Sequence, residues 1–281
     1  MEKILFDSHT HINNDTYTPE GRLELIGEIE NSAVGIVMDI GFDMPSSELA
    51  VVHANTYPWC YAVVGVHPHD SKTMDEEKYE RIRQMVLEDR KGANRIKAIG
   101  EIGLDYHYDL SPRDDQRYWF RRQIQLANEL KMPIVVHARE ADRETMDILI
   151  EEGAFSEERK AYFTPHTDGS SDPKVDIHCY SGSAEFAKEY MKLGATFGVD
   201  GPLTYKSNHK TVDVVKEVPL SHLLIETDAP YLTPVPFRGK PNKSPYVEYV
   251  ARKVAEIKGL SYEEAAAATY ENGLRFFGID L

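Results

Sequence analysis

With 281 residues, 41% of them hydrophobic and 28% charged, the chain can bury a sizeable core and is too apolar for a disordered protein. Its formal net charge of −15 excludes a protein that coats nucleic acid through broad basic patches. It leaves open nucleic acid as a substrate, because bound divalent cations reverse the local field at a site. No apolar run approaches the roughly 18 residues of a membrane span, and no basic-then-apolar leader opens the chain. Cys60 and Cys179 are too few for a disulfide framework. These features predict a cytoplasmic protein with no membrane contact, and nothing in them calls for an obligate protein partner.

In chain order the sequence alternates β-rich apolar runs with amphipathic stretches. KILFDSH reads as a strand and GRLELIGEIENS as a helix. VGIVMDIGF is followed by SSELAVVHANTYP, CYAVVGVHP by EEKYERIRQMVLEDR, and IKAIGEIGLDY by DDQRYWFRRQIQLANELK. PIVVHARE pairs with DRETMDILIEEG, VDIHCYSG with AEFAKEYMKLG, ATFGVDGPL with HKTVDVVKEVP, and LLIETDAPYL with SPYVEYVARKVAEIKG. SYEEAAAATYENGLRFFG remains as an extra C-terminal helix. Near-continuous apolar strands are how parallel strands covered by helices read, and strict alternation implies crossover helices. Eight such units predict an α/β protein, a single (β/α)8 TIM barrel over residues 1–281. A doubly wound open sheet is the rival, but it would not give units this regular. One insertion, about 154–174, separates the fifth helix from the sixth strand and exceeds usual loop lengths. Because it follows a helix, it belongs on the N-terminal face, away from the chemistry.

Chemistry in such barrels sits at the C-terminal strand ends, and metal-binding side chains recur there. His9 and His11 end the first strand, Glu101 lies on the fourth, and His137, His178 and Asp228 close the fifth, sixth and eighth. Any one alone reads as a structural histidine or a helix cap. As a set they would have to be desolvated without partners, a cost that a cation removes. Residues two apart on a strand share a face, so His9 and His11 can bind one ion. Six ligands exceed one tetrahedral site and divide between two ions: His9, His11 and Asp228 for one, His137 and His178 for the other, with Glu101 bridging. Nitrogen and oxygen donors without thiolate suit Zn, Mn, Co or Ni, and Mg less well. Cys179, next to His178, should face the opposite side as core. Asp7 shares the face of His9 and His11 one step deeper and is expected to orient an imidazole.

At these residues the sequence resembles the TatD-type metal-dependent hydrolases, within the amidohydrolase-like barrels. DSHTH, GVHPHD, AIGEIGLDY, PIVVHARE, IHCYSG and IETDAPYLTPVPFRGKPN occur in that family's order across essentially the whole chain. The resemblance implies divalent metals and deoxyribonuclease activity, described as 3′→5′ exonuclease action on DNA and sometimes RNA. It carries His9, His11, Glu101, His137, His178 and Asp228 over as ligands. Tyr180 stands where the family usually has Phe, and the insertion is a second departure. A water activated by two cations is expected to attack phosphorus, with Asp228 taking its proton and Glu101 setting the metal spacing. His67, Arg139, Arg238 and Lys240 are the expected substrate-binding donors, and Tyr106, Tyr205 and Tyr231 offer rings for stacking. Single-stranded DNA is the favoured substrate. A lactonase or amidohydrolase acting on small molecules is the second reading, and a non-catalytic metal-binding scaffold the third; six intact ligands argue against the scaffold.

Overall fold

The computed structural model describes residues 2–166 and 169–280. Eight parallel strands, β1 (Leu5–Thr10), β2 (Val34–Ile40), β3 (Cys60–Val64), β4 (Ile96–Asp105), β5 (Ile134–Arg139), β6 (Val175–Ile177), β7 (Thr196–Val199) and β8 (Leu223–Ile225), pair in chain order. The ring closes at its C-terminal rim. Thr10 bridges to Ala229, His11 N–H donates to the Ala229 carbonyl and Asp228 N–H to that of His9, both at 2.9 Å. The expected TIM barrel is the fold observed.

The crossover helices are α1 (Pro19–Glu30), α2 (Met44–Thr56), α3 (Glu76–Arg90), α4 (Arg113–Glu129), α5 (Asp142–Glu151), α7 (Ala184–Leu193), α8 (His209–Glu217) and α9 (Val247–Lys258). The short α6 (Glu157–Lys160) lies in the insertion, and α10 (Tyr262–Phe277) follows α9. Local sequence sets their ends: Thr18, Asp43, Asp75, Ser183, Asn208 and Ser261 each accept a backbone N–H at a helix start.

The extra helix has a packing role. Phe6, Ile36, Met38, Ile40, Tyr61, Val63, Ala98, Val135 and Leu224 form an apolar cluster with Phe276, Phe277 and Ile279 from the end of α10 and beyond. Phe277 stacks on Phe6 with centroids 5.8 Å apart and planes 6° from parallel. A Cβ at Gly273 would stand 2.6 Å from the Phe6 ring, so only glycine lets α10 approach this closely. The floor of the barrel is sealed by the C-terminal helix, and its mouth is left for chemistry.

The segment 154–174, of which residues 167 and 168 lie outside the described residues, is tied to the N-terminal face. Its anchor is Arg159, 1% exposed. The guanidinium donates to the carbonyls of Pro173 (2.8 Å) and Met132 (2.6 Å) and to Asn128 Oδ1 (2.8 Å). Met132 and Pro173 lie just before β5 and β6, so one side chain ties the insertion to two strand entries. Burial without a carboxylate pushes the Arg159 guanidinium down to about 9. Arg159→Met should therefore lower the unfolding free energy by about 2–4 kcal/mol, since charged hydrogen bonds to buried carbonyls are lost. Urea denaturation followed by circular dichroism checks this, and a change within about 0.5 kcal/mol would contradict the anchoring role.

Candidate metal centre

Glu101 lies in the middle of β4 and points into the barrel mouth. Five imidazoles come within 4 Å of its oxygens: His137 at 2.9 Å, His178 at 3.3 Å, His9 at 3.4 Å, His67 at 3.6 Å and His11 at 3.9 Å. Asp228, just past β8 at φ 53°, brings Oδ1 to 3.2 Å from His11 Nε2 and 3.9 Å from His9 Nε2. Ligand atoms of His9, His11 and Asp228 lie within 4.8 Å of one another, as do those of His9, Glu101 and His178. The structure thus gathers all six expected ligands. His178 lies nearer His9, with rings stacked at 3.6 Å, than His137, at 6.2 Å.

The residues fit a metal on a test independent of their spacing. An imidazole that binds through one nitrogen needs its other N–H held by an oxygen. His11 Nδ1 reaches the Ile40 carbonyl at 2.8 Å, His178 Nδ1 reaches Glu226 Oε1 at 3.0 Å, and His137 Nε2 reaches Asp105 Oδ2 at 2.9 Å. In each case the remaining nitrogen faces the carboxylates of Glu101 or Asp228. His9 is fully buried with neither ring nitrogen hydrogen-bonded. Such an orphaned donor-acceptor pair is costly unless a cation sits against it.

His67 differs. Its Nδ1 accepts the backbone N–H of His69 at 3.0 Å, so Nε2 carries the proton and presents a donor rather than a lone pair. His67, Glu101 and His137 form a third compact group, in which His67 Nε2 lies 3.6 Å from Glu101 Oε1. Burial, and then the neighbouring His137, hold His67 well below the usual imidazole range, so the ring is neutral. Burial alone would raise Glu101, but His67, His178 and His9 outweigh it and keep the carboxyl well below its ordinary value. Burial likewise opposes charge on His178, yet Glu226 and Glu101 raise it well above normal.

Close packing makes room for these partners. A Cβ at Gly198 would stand 2.3 Å from Glu226 Oε2, so only glycine leaves space for the carboxylate behind His178. Asp105 and Glu226 were not foreseen as partners. Their signal was available: Asp105 alternates with Glu101 on β4, and Glu226 lies two residues before Asp228.

Two expectations are corrected. Asp7 orients no imidazole. Its carboxylate accepts Thr227 N–H at 3.0 Å, the Thr227 hydroxyl at 2.7 Å and the Ser244 hydroxyl. It thereby fixes the residue before Asp228. Cys179 is not core. β6 ends at Ile177, alternation stops there, and Cys179 at φ 46° turns its thiol to 3.2 Å from Asp200 Oδ2. Arg139, the last residue of β5, and Arg238 and Lys240, in the loop after β8, are exposed at the mouth. Of the tyrosines, Tyr106 is engaged by Glu144, its hydroxyl donating at 2.7 Å, whereas the Tyr231 ring is open to solvent.

The model of the TatD related DNase family matches residues 6–278. The chain is 40% identical over 277 residues to the metal-dependent hydrolase YabD of Bacillus subtilis (strain 168), covering 99% of this chain and 100% of the relative. It is 28% identical to the 3′-5′ ssDNA/RNA exonuclease TatD of Cronobacter sakazakii, over 97% of each. Among solved structures, the TatD homologue YJJV of Escherichia coli K12 superposes with a TM-score of 0.84 at 25% identity, over 100% of both chains.

Burial raises Asp7 to about 7, against 3.8 in an exposed carboxyl, despite its hydrogen bonds to Ser244 and Thr227. Between those values the folded chain keeps a proton that the unfolded chain has lost. Asp7 therefore contributes stability that is present below pH 3.8 and lost as pH rises to about 7. Asp7→Asn, which cannot ionise, should gain stability relative to wild type steadily over that window. Thermal melts of both metal-free proteins measure this, and an offset that does not vary with pH would refute it.

Proposed function

The chain belongs to the TatD related DNase family and is a metal-dependent hydrolase, and from that premise we propose that it cleaves phosphodiester bonds in DNA, and in RNA, as a cytoplasmic 3′→5′ exonuclease. The observation that carries the phosphate reading is the state of the cations at the mouth. Arg139, Arg238 and Lys240 make no ion pair with a carboxylate among the described residues, on a protein with 47 Asp and Glu against 32 Lys and Arg. A neutral lactone or amide requires no such donors, whereas a phosphodiester does. The direction of digestion and the inclusion of RNA rest on the name of the Cronobacter relative. Among the described residues no helix is long and apolar enough to cross a membrane.

His9, His11 and Asp228 would hold one divalent ion and His137 and His178 a second, with Glu101 between them. When bound, such a pair of ions lowers the pKa of water and stabilises charge on phosphate oxygens. The protein's own groups do the rest. Asp228, the most solvent-accessible of the carboxylates in the cluster, aligns the water and takes its proton as oxygen bonds to phosphorus. It returns that proton to the leaving oxygen as the P–O bond breaks. His67 offers its Nε2–H to a non-bridging oxygen, and its neutrality keeps that donor in place without a competing charge. Arg139, Arg238 and Lys240 steady the flanking phosphates. Asp7 holds Asp228 in register through Thr227.

Asp228→Asn and Glu101→Ala should each lower the turnover of single-stranded DNA by at least about 10³-fold with the fold retained, and EDTA should stop the wild type. End-labelled oligonucleotides on denaturing gels, with metal content and circular dichroism measured in parallel, test this. Substantial nuclease activity in metal-loaded Asp228→Asn would overturn the assignment. With three cations at the mouth, log affinity for single strands should fall with log salt at a slope of about −2. A slope several times steeper would reveal a basic surface the structure does not show.

A further inference from the structure

Two arginines at the mouth lack the carboxylate partner that many arginines of the outer helices have. On the helices, Arg81, Arg83, Arg117, Arg121, Arg122 and Arg252 each reach a carboxylate. Arg139 and Arg238 reach none among the described residues. Each lies instead over a tyrosine ring, Arg139 at 4.8 Å from the centroid of Tyr108 and Arg238 at 4.1 Å from that of Tyr205. The first pair joins the last residue of β5 to the loop after β4. The second joins the loop after β8 to the loop after β7. The two pairs therefore stand on different sides of the ring of strands, with the Glu101 cluster between them.

Both are fastened to the site. Tyr108 is 54% exposed, and the His69 ring meets it edge-on at 5.5 Å. His69 Nε2 and His137 Nε2 share Asp105 Oδ2, each at 2.9 Å, so His69 and Asp105 link Tyr108 to His137. Tyr205 follows the short turn Gly201–Thr204 that leaves Asp200, and its hydroxyl donates to the Thr233 carbonyl at 2.9 Å.

A guanidinium seated on a ring spends its face and keeps its N–H edge. Beside an aromatic side chain this offers a nucleobase a flat apolar surface and the adjoining phosphate a charged edge. One such pair would suit a mononucleotide. Two, on different sides of the strand ring, suit a strand whose terminal base lies on one pair and whose next base lies on the other. Bases already paired and stacked in a duplex have no free face to present.

We propose that Tyr108–Arg139 and Tyr205–Arg238 are base-stacking clamps on the two sides of the scissile phosphate. The substrate is then a single-stranded polynucleotide, gripped through at least one nucleotide on each side of the bond without regard to base identity. This rests on the phosphodiester reading above and narrows it.

The test uses the full-length, Mn-loaded enzyme and a series of oligothymidylates from two to six nucleotides, each also made with single abasic positions. In the wild type, an abasic residue on either side of the cut bond should raise KM about tenfold, the range expected of one stacked base. Tyr108→Ala should abolish the abasic effect on one side only and Tyr205→Ala on the other, each raising KM on intact strands by a similar factor. Tyr108→Trp should keep the wild-type pattern. Arg139→Gln and Arg238→Gln should follow their tyrosines, with KM changing more than kcat. If the alanine variants keep the full abasic effect on both sides, or lose kcat with KM unchanged, the clamps are refuted while the nuclease reading stands. If the wild type cleaves no oligonucleotide with Mn, Zn, Co or Mg, the nuclease reading itself fails and this inference falls with it.

Discussion

Glu101 carries a carboxylate in the centre of the barrel, where water has little access, and a charge buried there is costly unless its surroundings answer it. Five imidazoles do so, two from β1 and its end, one after β3, one on β5 and one after β6. No local segment could supply them. The ring of strands has to close before the carboxylate is satisfied, and the carboxylate in turn fixes where the strand ends point. Behind the imidazoles a second set of oxygens, the Ile40 carbonyl, Glu226 and Asp105, decides which nitrogen of each ring faces inward. Fold and site are thus one hydrogen-bonding problem.

Much of this was legible in the chain. Near-continuous apolar strands with polar residues at their C-terminal ends gave the barrel and brought His9, His11, Glu101, His137, His178 and Asp228 into a single mouth. What escaped were contacts that depend on backbone turns and on distance in sequence. Asp7 and Thr227 are 220 residues apart, and nothing at either position names the other. Cys179 was misplaced because period-two alternation was carried two residues beyond a strand that had already ended. The tautomer of His67 depends on a backbone N–H two residues on, which residue type alone does not reveal.

The distribution of charge divides the molecule by task. On the outer helices Arg81, Arg83, Arg117, Arg121, Arg122 and Arg252 are neutralised by neighbouring carboxylates, and exposed pairs of that kind contribute little to stability. At the mouth Arg139 and Arg238 are spared such partners and rest on rings instead. At the opposite end, α10 plugs the barrel with Phe276, Phe277 and Ile279, and Arg159 secures the insertion to the entries of β5 and β6.

The seam between β1 and β8 has a further consequence for how such a hydrolase comes into being. His9 and His11 precede Asp228, and the Thr227 that Asp7 grips, by seven further strands. Without those two residues His9 and His11 lack their carboxylate and the rim is open. A chain broken off before β8 therefore keeps the first histidines but not the closed rim that sets them.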